Sequence, residues 1–277
     1  MSVLIADLKG ALNEVLDGQH AQERKHILNW LTPIDYAPEQ AYYISMRAPN
    51  TGQWLLESEE YRTWLKDDMQ TIFCPGKPGA GKTLMAAIVV DDLYERYKID
   101  SSIGIAYLYC DFKRRHEQRT DDLMAALLKQ LAQQHRDIPD TVRAFYDKYK
   151  HQSKRPMLDE ILELLISVCA LYSKVFIILD ALDECQERDG CRRRFLSEII
   201  RLQTKAGANI LATSRSIPEI EAAFKESMPF RISARVEDVQ TYLTARMHQL
   251  PSFVLDKPEL QNNIKAHISE RVDGMCV

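Results

Sequence analysis

The sequence predicts a three-layer α/β/α fold on a mostly parallel sheet of about five strands, with further helices at both ends. Three observations predict it. Short apolar runs that read as strands alternate with longer stretches of helical periodicity, the pattern of a parallel sheet covered on both faces. The eight residues from Gly76 to Thr83, GKPGAGKT, stand between one such strand and one such helix. A second apolar run, Val175 to Asp180, ends in a carboxylate, and further acids follow it closely.

The 277 residues suffice for one large α/β domain with helical additions. With a net charge of −4 nothing points to a bulk nucleic-acid binder, and no direct nucleic-acid binding is expected. The short clusters Lys113-Arg114-Arg115 and Arg192-Arg193-Arg194 read first as solvated faces and second as partner or phosphate contacts. The six cysteines show no C-x-x-C and no zinc-type spacing. Cys74, Cys110 and Cys169 sit in apolar runs and read as core, whereas Cys185 and Cys191 flank a loop and read as exposable. Asp7, Lys9 and Glu14 interrupt any signal-peptide core, and no apolar run reaches membrane-spanning length. A reducing, cytoplasmic setting without membrane contact is therefore expected.

Taken in order, Val3, Leu4, Leu8, Leu12, Val15 and Leu16 give an amphipathic helix over Met1 to Leu16. A second helix runs from about Ala21 to Leu31 and stops before Pro33. This pair reads as packing on the main domain in preference to binding a partner. Ala48 to Gly52 is a turn-rich boundary, followed by Gln53-Trp54-Leu55-Leu56 and a short helix, Glu59 to Leu65. The apolar and aromatic residues here form either a wall beside a nucleotide base or plain core. Thr71 to Cys74 is the first strand, Leu84 to Tyr97 a helix, and Ile103 to Asp111 the second strand. Helices follow over Thr120 to His135, Thr141 to Lys150 and Met157 to Tyr172. After the Val175–Asp180 strand come a helix from Cys191 to Lys205, a strand from Ala208 to Ser214 and a short helix from Ile217 to Lys225. A weak strand is expected near Phe230 to Ile232, then helices over Val236 to Gln249 and Glu259 to Val272. The strand inserted between the first and the Val175–Asp180 run suggests an additional-strand layout, with the first strand beside Ala208–Ser214.

GKPGAGKT fits the phosphate-binding pattern G-x-x-x-x-G-K-[ST]. Glycines at Gly76, Gly79 and Gly81 let the backbone curl around phosphate, with Lys77, Pro78 and Ala80 completing the loop. The following helix N-terminus adds a favourable dipole. Lys82 would reach the β/γ-phosphates and the Thr83 hydroxyl would hold Mg²⁺. A chance match is disfavoured by the strand before and the helix after. In VFIILDALDEC, Asp180 emerges where Mg²⁺ would sit, acting through water or the Thr83 hydroxyl. Glu184 is the first choice to polarise an attacking water and Asp183 the second. The competing reading makes both acids merely solvated. Arg215, after Thr213-Ser214, reads as a sensor near the γ-phosphate or as a surface arginine.

With these residues in place, GKPGAGKT, FIILDALDEC, LATSR and the upstream TGQWLLES make the sequence resemble the NACHT-type P-loop ATPase module of fungal proteins. That module is also called a nephrocystin-like N-terminal domain. It belongs to the signal-transduction ATPases with numerous domains (STAND), relatives of NOD-like receptors, and the resemblance covers roughly Thr51 to the C-terminus. It implies an ATP/ADP-controlled switch using Mg²⁺, slow hydrolysis, and self-association that passes a signal through an attached effector. It also implies roles for Gly76 to Thr83 on phosphate, Asp180 on metal, Asp183 and Glu184 in hydrolysis, and Arg215 as sensor. Ala181 stands where many animal members have glycine, a change expected to be harmless. The expected division is a helical segment over 1–50, the NTPase core over 51–235 and a helical extension over 236–277 that ends before a winged helix. Ending at Gly274-Met275-Cys276-Val277, the chain is expected to be a fragment, a truncated product or a minimal paralogue. Two other functions stay open: a nucleotide-binding scaffold without hydrolysis, and a P-loop phosphotransferase, for which no acceptor motif is visible. ATP versus GTP preference also stays open.

Overall fold

The computed structural model describes residues 18–114, 117–152 and 154–271. Its strands are β1 (Thr71–Pro75), β2 (Ile103–Tyr109), β3 (Lys174–Asp180), β4 (Asn209–Ser214) and β5 (Met228–Pro229). They form one sheet in the order β2-β3-β4-β1-β5, with every pairing parallel. The first strand does lie beside β4, in the register Thr71 to Ile210 through Pro75 to Ser214. All five strands run the same way, so the ends of β1, β3 and β4 open onto one rim, where open α/β sheets bind ligands.

Helix α1 covers residues 18–31. It is followed by α2 (Ala37–Ser45), α3 (Gln53–Leu56), α4 (Glu59–Lys66), α5 (Lys82–Arg96), α6 (Thr120–Gln134), α7 (Asp140–Tyr149) and α8 (Leu158–Cys169). The chain continues through α9 (Cys191–Ala206), α10 (Pro218–Ala223), α11 (Val236–Arg246), α12 (Ser252–Leu255) and α13 (Pro258–Arg271). Helix α5 buries Met85 through Val90 and Leu93, because it lies between the sheet and α2 and is covered on nearly every side. Helix α4 starts where the Ser58 hydroxyl accepts the Tyr61 N–H at 3.1 Å. Its fully buried Trp64 donates Nε1–H to the Ile210 carbonyl at 2.9 Å, locking the helix to β4.

The open edge of β2 is closed by side chains. Gln130 of α6 accepts the Tyr107 N–H at 3.0 Å and donates to the Tyr107 carbonyl at 2.7 Å. One turn on, Gln134 does the same for Ile105. Each glutamine amide stands in for the neighbouring strand that an edge lacks, which also blocks pairing with another chain.

Expectation and structure differ in a few places. Helix α2 was not expected, nor was α12. The weak strand falls at Met228–Pro229 rather than Phe230–Ile232, although the Phe230 N–H still donates to the Phe73 carbonyl at 2.8 Å. At this edge Pro229 needs no ladder donor, so the proline is tolerated. Cys185 is buried rather than exposable, and Cys191 is half-buried. Arg192 is buried against Glu187 at 2.7 Å and Glu219 at 3.0 Å, so it fastens α9 to α10 instead of serving a solvated face. Arg114 pairs with Glu39 and Glu117. The expected Met1–Leu16 helix and the Gly274–Val277 end lie outside the described residues. No helix among the described residues is long and apolar enough to cross a membrane.

Replacing Gln130 with leucine keeps the volume and strips two buried backbone groups of their partners. We expect a loss of about 2–4 kcal/mol in urea unfolding. Gln134→Leu, nearer solvent, should cost less, and equal costs would mean that the edge is not closed by these amides.

Candidate functional site

The loop after β1 is held open by its own backbone. Its Gly76 N–H donates to the Ser214 carbonyl at 3.1 Å, continuing the β1–β4 pairing one step beyond the strand. Gly79 (φ 73°) and Gly81 (φ 85°) take left-handed conformations that other residues adopt only with strain. Gly81 is also the N-cap of α5 and supplies no side chain, so the first N–H groups of the helix face the loop. Lys82 turns back over the loop, donating to the carbonyls of Gly76 and Lys77, both at 2.9 Å. Burial lowers its pKa, against the pull of Asp183 and Asp180. Peptide dipoles, a helix N-terminus and an ammonium thus converge on one concave surface suited to a polyphosphate.

Asp180 ends β3 and is 2% exposed. Its Oδ1 accepts the Thr213 hydroxyl at 2.6 Å, and the Thr83 hydroxyl also hydrogen-bonds to it. Burial pushes its pKa up to about 6 in spite of these hydroxyls and Lys82. A carboxylate in that condition, beside a threonine hydroxyl, offers the hard oxygens that Mg²⁺ takes, and Mg²⁺ draws few ligands from protein. Asp180 and Thr83 therefore fit the metal role expected of them.

The two following acids do different work. Asp183 Oδ1 accepts the Arg215 N–H at 2.9 Å and lies 3.4 Å from the Ser214 hydroxyl, while Oδ2 meets Arg215 Nε at 3.0 Å. Its side chain is only 7% exposed. Glu184 reaches the other way, where Oε2 accepts the Phe112 N–H at 3.2 Å, with Arg215 4.0 Å from its second oxygen. The structure thus brings Lys82, Thr83, Asp180, Asp183, Glu184 and Arg215 to one rim. Residues from Pro78 to Leu84, with Asp183, Glu184 and Arg215, line a cleft of about 290 Å³ that carries the charged side chains of Lys82, Asp183, Glu184 and Arg215. Ala181, between Asp180 and these acids, has φ 55° and ψ 49°. The alanine is therefore not a neutral stand-in for glycine: a Cβ in the left-handed region costs about 1–2 kcal/mol.

A second cavity, about 340 Å³ and mainly apolar, opens beside the first and shares Ala80, Gly81, Thr83 and Leu84 with it. Its far wall is Tyr42 and Tyr43 of α2 with Met46 just after that helix, and its floor Asp238, Val239 and Tyr242 of α11. None of these six was anticipated; a proline two residues after Tyr36 and the run YYISM were the available signals for α2. Trp54 lies outside this lining. It stacks on Phe230 with centroids 5.6 Å apart, carries the Arg235 guanidinium 4.4 Å over its ring, and donates Nε1–H to Asp238 at 2.9 Å.

A profile of the family described as Nephrocystin 3, N-terminal, matches residues 50–215. Among curated proteins the chain is similar to the vegetative incompatibility protein HET-E-1 of Podospora anserina, 21% identical over 244 residues. The match covers 80% of this chain but 17% of that protein, so the chain spans a minor part of its relative. Among solved structures it is similar to the ORC1 protein of Aeropyrum pernix, determined in complex with DNA, at 14% identity and a TM-score of 0.48. That likeness covers 81% of this chain and 61% of the other. A Walker-type ATPase of Pyrococcus abyssi is similar at 15% identity and a TM-score of 0.47, covering 83% and 66% respectively.

The raised pKa of Asp180 has a sign that can be checked. The folded value, about 6, exceeds the ordinary 3.8, so the folded state holds the proton more tightly. Without Mg²⁺ this favours folding below the ordinary value, and the benefit is lost as pH rises through about 6. Thermal melts in chelator should therefore show wild type losing more stability than Asp180→Asn between pH about 4 and about 7. Parallel curves for the two proteins would contradict the assignment.

Proposed function

This chain belongs to the nephrocystin 3 N-terminal family, and on that premise we propose that it binds ATP and ADP with Mg²⁺ and hydrolyses ATP slowly as a regulatory switch module. One observation carries the reading: a cleft with charged side chains and a phosphate-type loop and a separate apolar cavity meet at Ala80–Leu84. A nucleoside triphosphate has that same division, an aromatic base at one end and a polyanion at the other.

In this reading the loop amides and Lys82 hold the phosphates, and the base lies between the tyrosines of α2 and Val239 of α11. Thr83 and Asp180 hold Mg²⁺, which when bound neutralises charge on the phosphate oxygens. Lys82 moves from the Gly76 and Lys77 carbonyls to phosphate oxygens of opposite charge, a stronger hydrogen bond. Glu184 lines the cleft and accepts a proton from water when its carboxylate swings off the Phe112 amide. Asp183 is engaged by the Arg215 backbone and side chain and serves best to position Arg215 against the terminal phosphate. Family membership supports the switch role, and self-association and an attached effector belong to that role in a larger protein. ATP in preference to GTP is favoured only by the apolar character of the base cavity. A cytoplasmic setting fits a switch that reads ATP and ADP.

Lys82→Ala should abolish Mg·ATP binding in calorimetry while the circular dichroism spectrum is unchanged; retained affinity in a folded variant would remove the proposal.

Glu184→Gln keeps the shape of the side chain and loses the base. It should retain ATP affinity and reduce phosphate release by at least about a hundredfold. Asp183→Asn should instead weaken the Arg215 contact and leave measurable turnover. The reverse ranking of the two variants would exchange the roles of the two acids.

A further inference from the structure

Two thiols face each other behind the carboxylates. Cys110 follows β2 and Cys185 follows the 3-10 turn Leu182–Glu184, and their sulfurs lie 2.7 Å apart. Both residues are buried, and both are free cysteines. A covalent S–S bond measures about 2.05 Å, so less than an ångström of approach separates the pair from a disulfide.

The backbones on both sides are held. Gln118, itself 1% exposed, brackets Cys110 by donating to the Tyr109 carbonyl and accepting the Asp111 N–H, both at 3.0 Å. Cys110 also donates its N–H to the Asp180 carbonyl at 3.1 Å. Across the gap, the Cys185 N–H reaches the Leu182 carbonyl at 3.3 Å and the Glu184 N–H the Ala181 carbonyl at 2.8 Å. The sulfurs are thus presented to each other by two short, hydrogen-bonded loops. Those same loops meet at a second point, because Phe112, two residues after Cys110, donates its N–H to Glu184, the residue before Cys185.

We propose that Cys110 and Cys185 are an oxidisable pair whose disulfide fastens the Glu184 loop to the loop after β2, holding Glu184 on the Phe112 amide. The consequence for catalysis rests on the nucleotide-hydrolysis reading above; the disulfide itself does not. Fastened there, Glu184 is kept from water while the phosphate loop, on α5 and β1, is untouched. Oxidation would lower hydrolysis and spare binding. The chemistry closes with a peroxide as oxidant. One thiolate attacks a peroxide oxygen, the O–O bond breaks, and a sulfenic acid and water result. The second thiolate displaces hydroxide from that sulfenic sulfur, which takes up a proton to leave as a second water. Two S–H bonds and one O–O bond are lost, one S–S bond forms, and a dithiol returns the two electrons by exchange. Burial admits only a small oxidant, and the Cys185 contact, followed by burial, pushes the Cys110 thiol up, so oxidation is slow while the loops are closed.

The test uses the full chain, prolonged exposure to hydrogen peroxide, alkylation, and digestion without reductant. Mass spectrometry should find a Cys110–Cys185 linked peptide lighter by two hydrogen atoms and reversed by dithiothreitol. Hydrogen exchange should slow at residues 110–114 and 181–186 of the oxidised protein, a readout independent of turnover. ATP hydrolysis should fall by at least about tenfold with unchanged ATP affinity. Cys110→Ala and Cys185→Ala, checked for folding by thermal melts, should each keep reduced-state turnover and lose the peroxide effect. Two thiols still free, a link to Cys191 instead, or a mapped disulfide without slower exchange would overturn the proposal. If neither redox state hydrolyses ATP, the hydrolysis reading fails, while mapping and exchange still decide whether the pair clamps the loops.

Discussion

The site depends on one buried carboxylate. Asp180 sits at 2% exposure, where an ionised group without partners would be strongly disfavoured. Its partners come from elements far apart in sequence: the Thr213 hydroxyl from β4 and the Thr83 hydroxyl from α5. The same Thr213 hydroxyl accepts the Ala181 N–H at 2.9 Å, so it fixes the exit from β3 as well. Three chain segments are thereby registered on one atom group. A change at any of them moves the relation between the phosphate loop and the acids after β3. That Asp180 still has a raised pKa means that the hydroxyls do not fully offset burial.

Much of the fold was legible because its strands are buried on both faces. Val175 through Asp180 and Asn209 through Ser214 are buried at every position, which in sequence is an uninterrupted apolar run with a polar terminus. The elements that escaped notice are those that burial marks weakly. Helix α2 has no fully buried residue; Tyr43 and Ile44 are only partly covered and Tyr42 is 59% exposed. Strand β5 has two residues and pairs with only Ile72 and Phe73, too short for any alternation to register. Tertiary pairing with β1, rather than local propensity, decides where it falls.

The site divides in the same way. Gly76 to Thr83 and Asp180 are readable because their chemistry depends on local backbone shape and one strand end. The separation of Asp183 from Glu184 is not readable. It depends on Arg215 and Ser214 approaching one carboxylate and Phe112 the other, each about thirty or more residues distant. Burial of Cys185 was hidden for a related reason. Cys185 flanks a stretch that reads as a loop, while in the structure Ala181 takes a positive φ and Cys185 lies buried against Cys110. The strain at Ala181 and the burial of Cys185 lie at the two ends of one turn. The arginine clusters mislead in the opposite sense, since Arg192 looks like surface and is a buried clasp.

The apolar cavity joins the phosphate loop to helix α11, beyond the last strand. Asp238 accepts the Gly52 N–H at 3.1 Å and the Trp54 indole at 2.9 Å, tying the first turn of α11 to the segment that precedes β1. Trp54 is in turn stacked on Phe230, just after β5, and covered by Arg235, just before α11. The chain entering the core and the chain leaving it are therefore clasped at one indole. The cavity lies against that clasp, with Asp238, Val239 and Tyr242 on one side and Gly81 and Leu84 on the other. A ligand that fills both spaces bridges α5 and α11; one that fills only the cleft over Lys82 touches α5, Arg215 and the acids after β3 but not α11. Because a ligand biases a conformational equilibrium only through contacts that differ between states, on the proposed function the position of α11 would be coupled to the base more directly than to the phosphates. On the proposed function, phosphate number would be read at Arg215 and the acids after β3, and occupancy as such at α11.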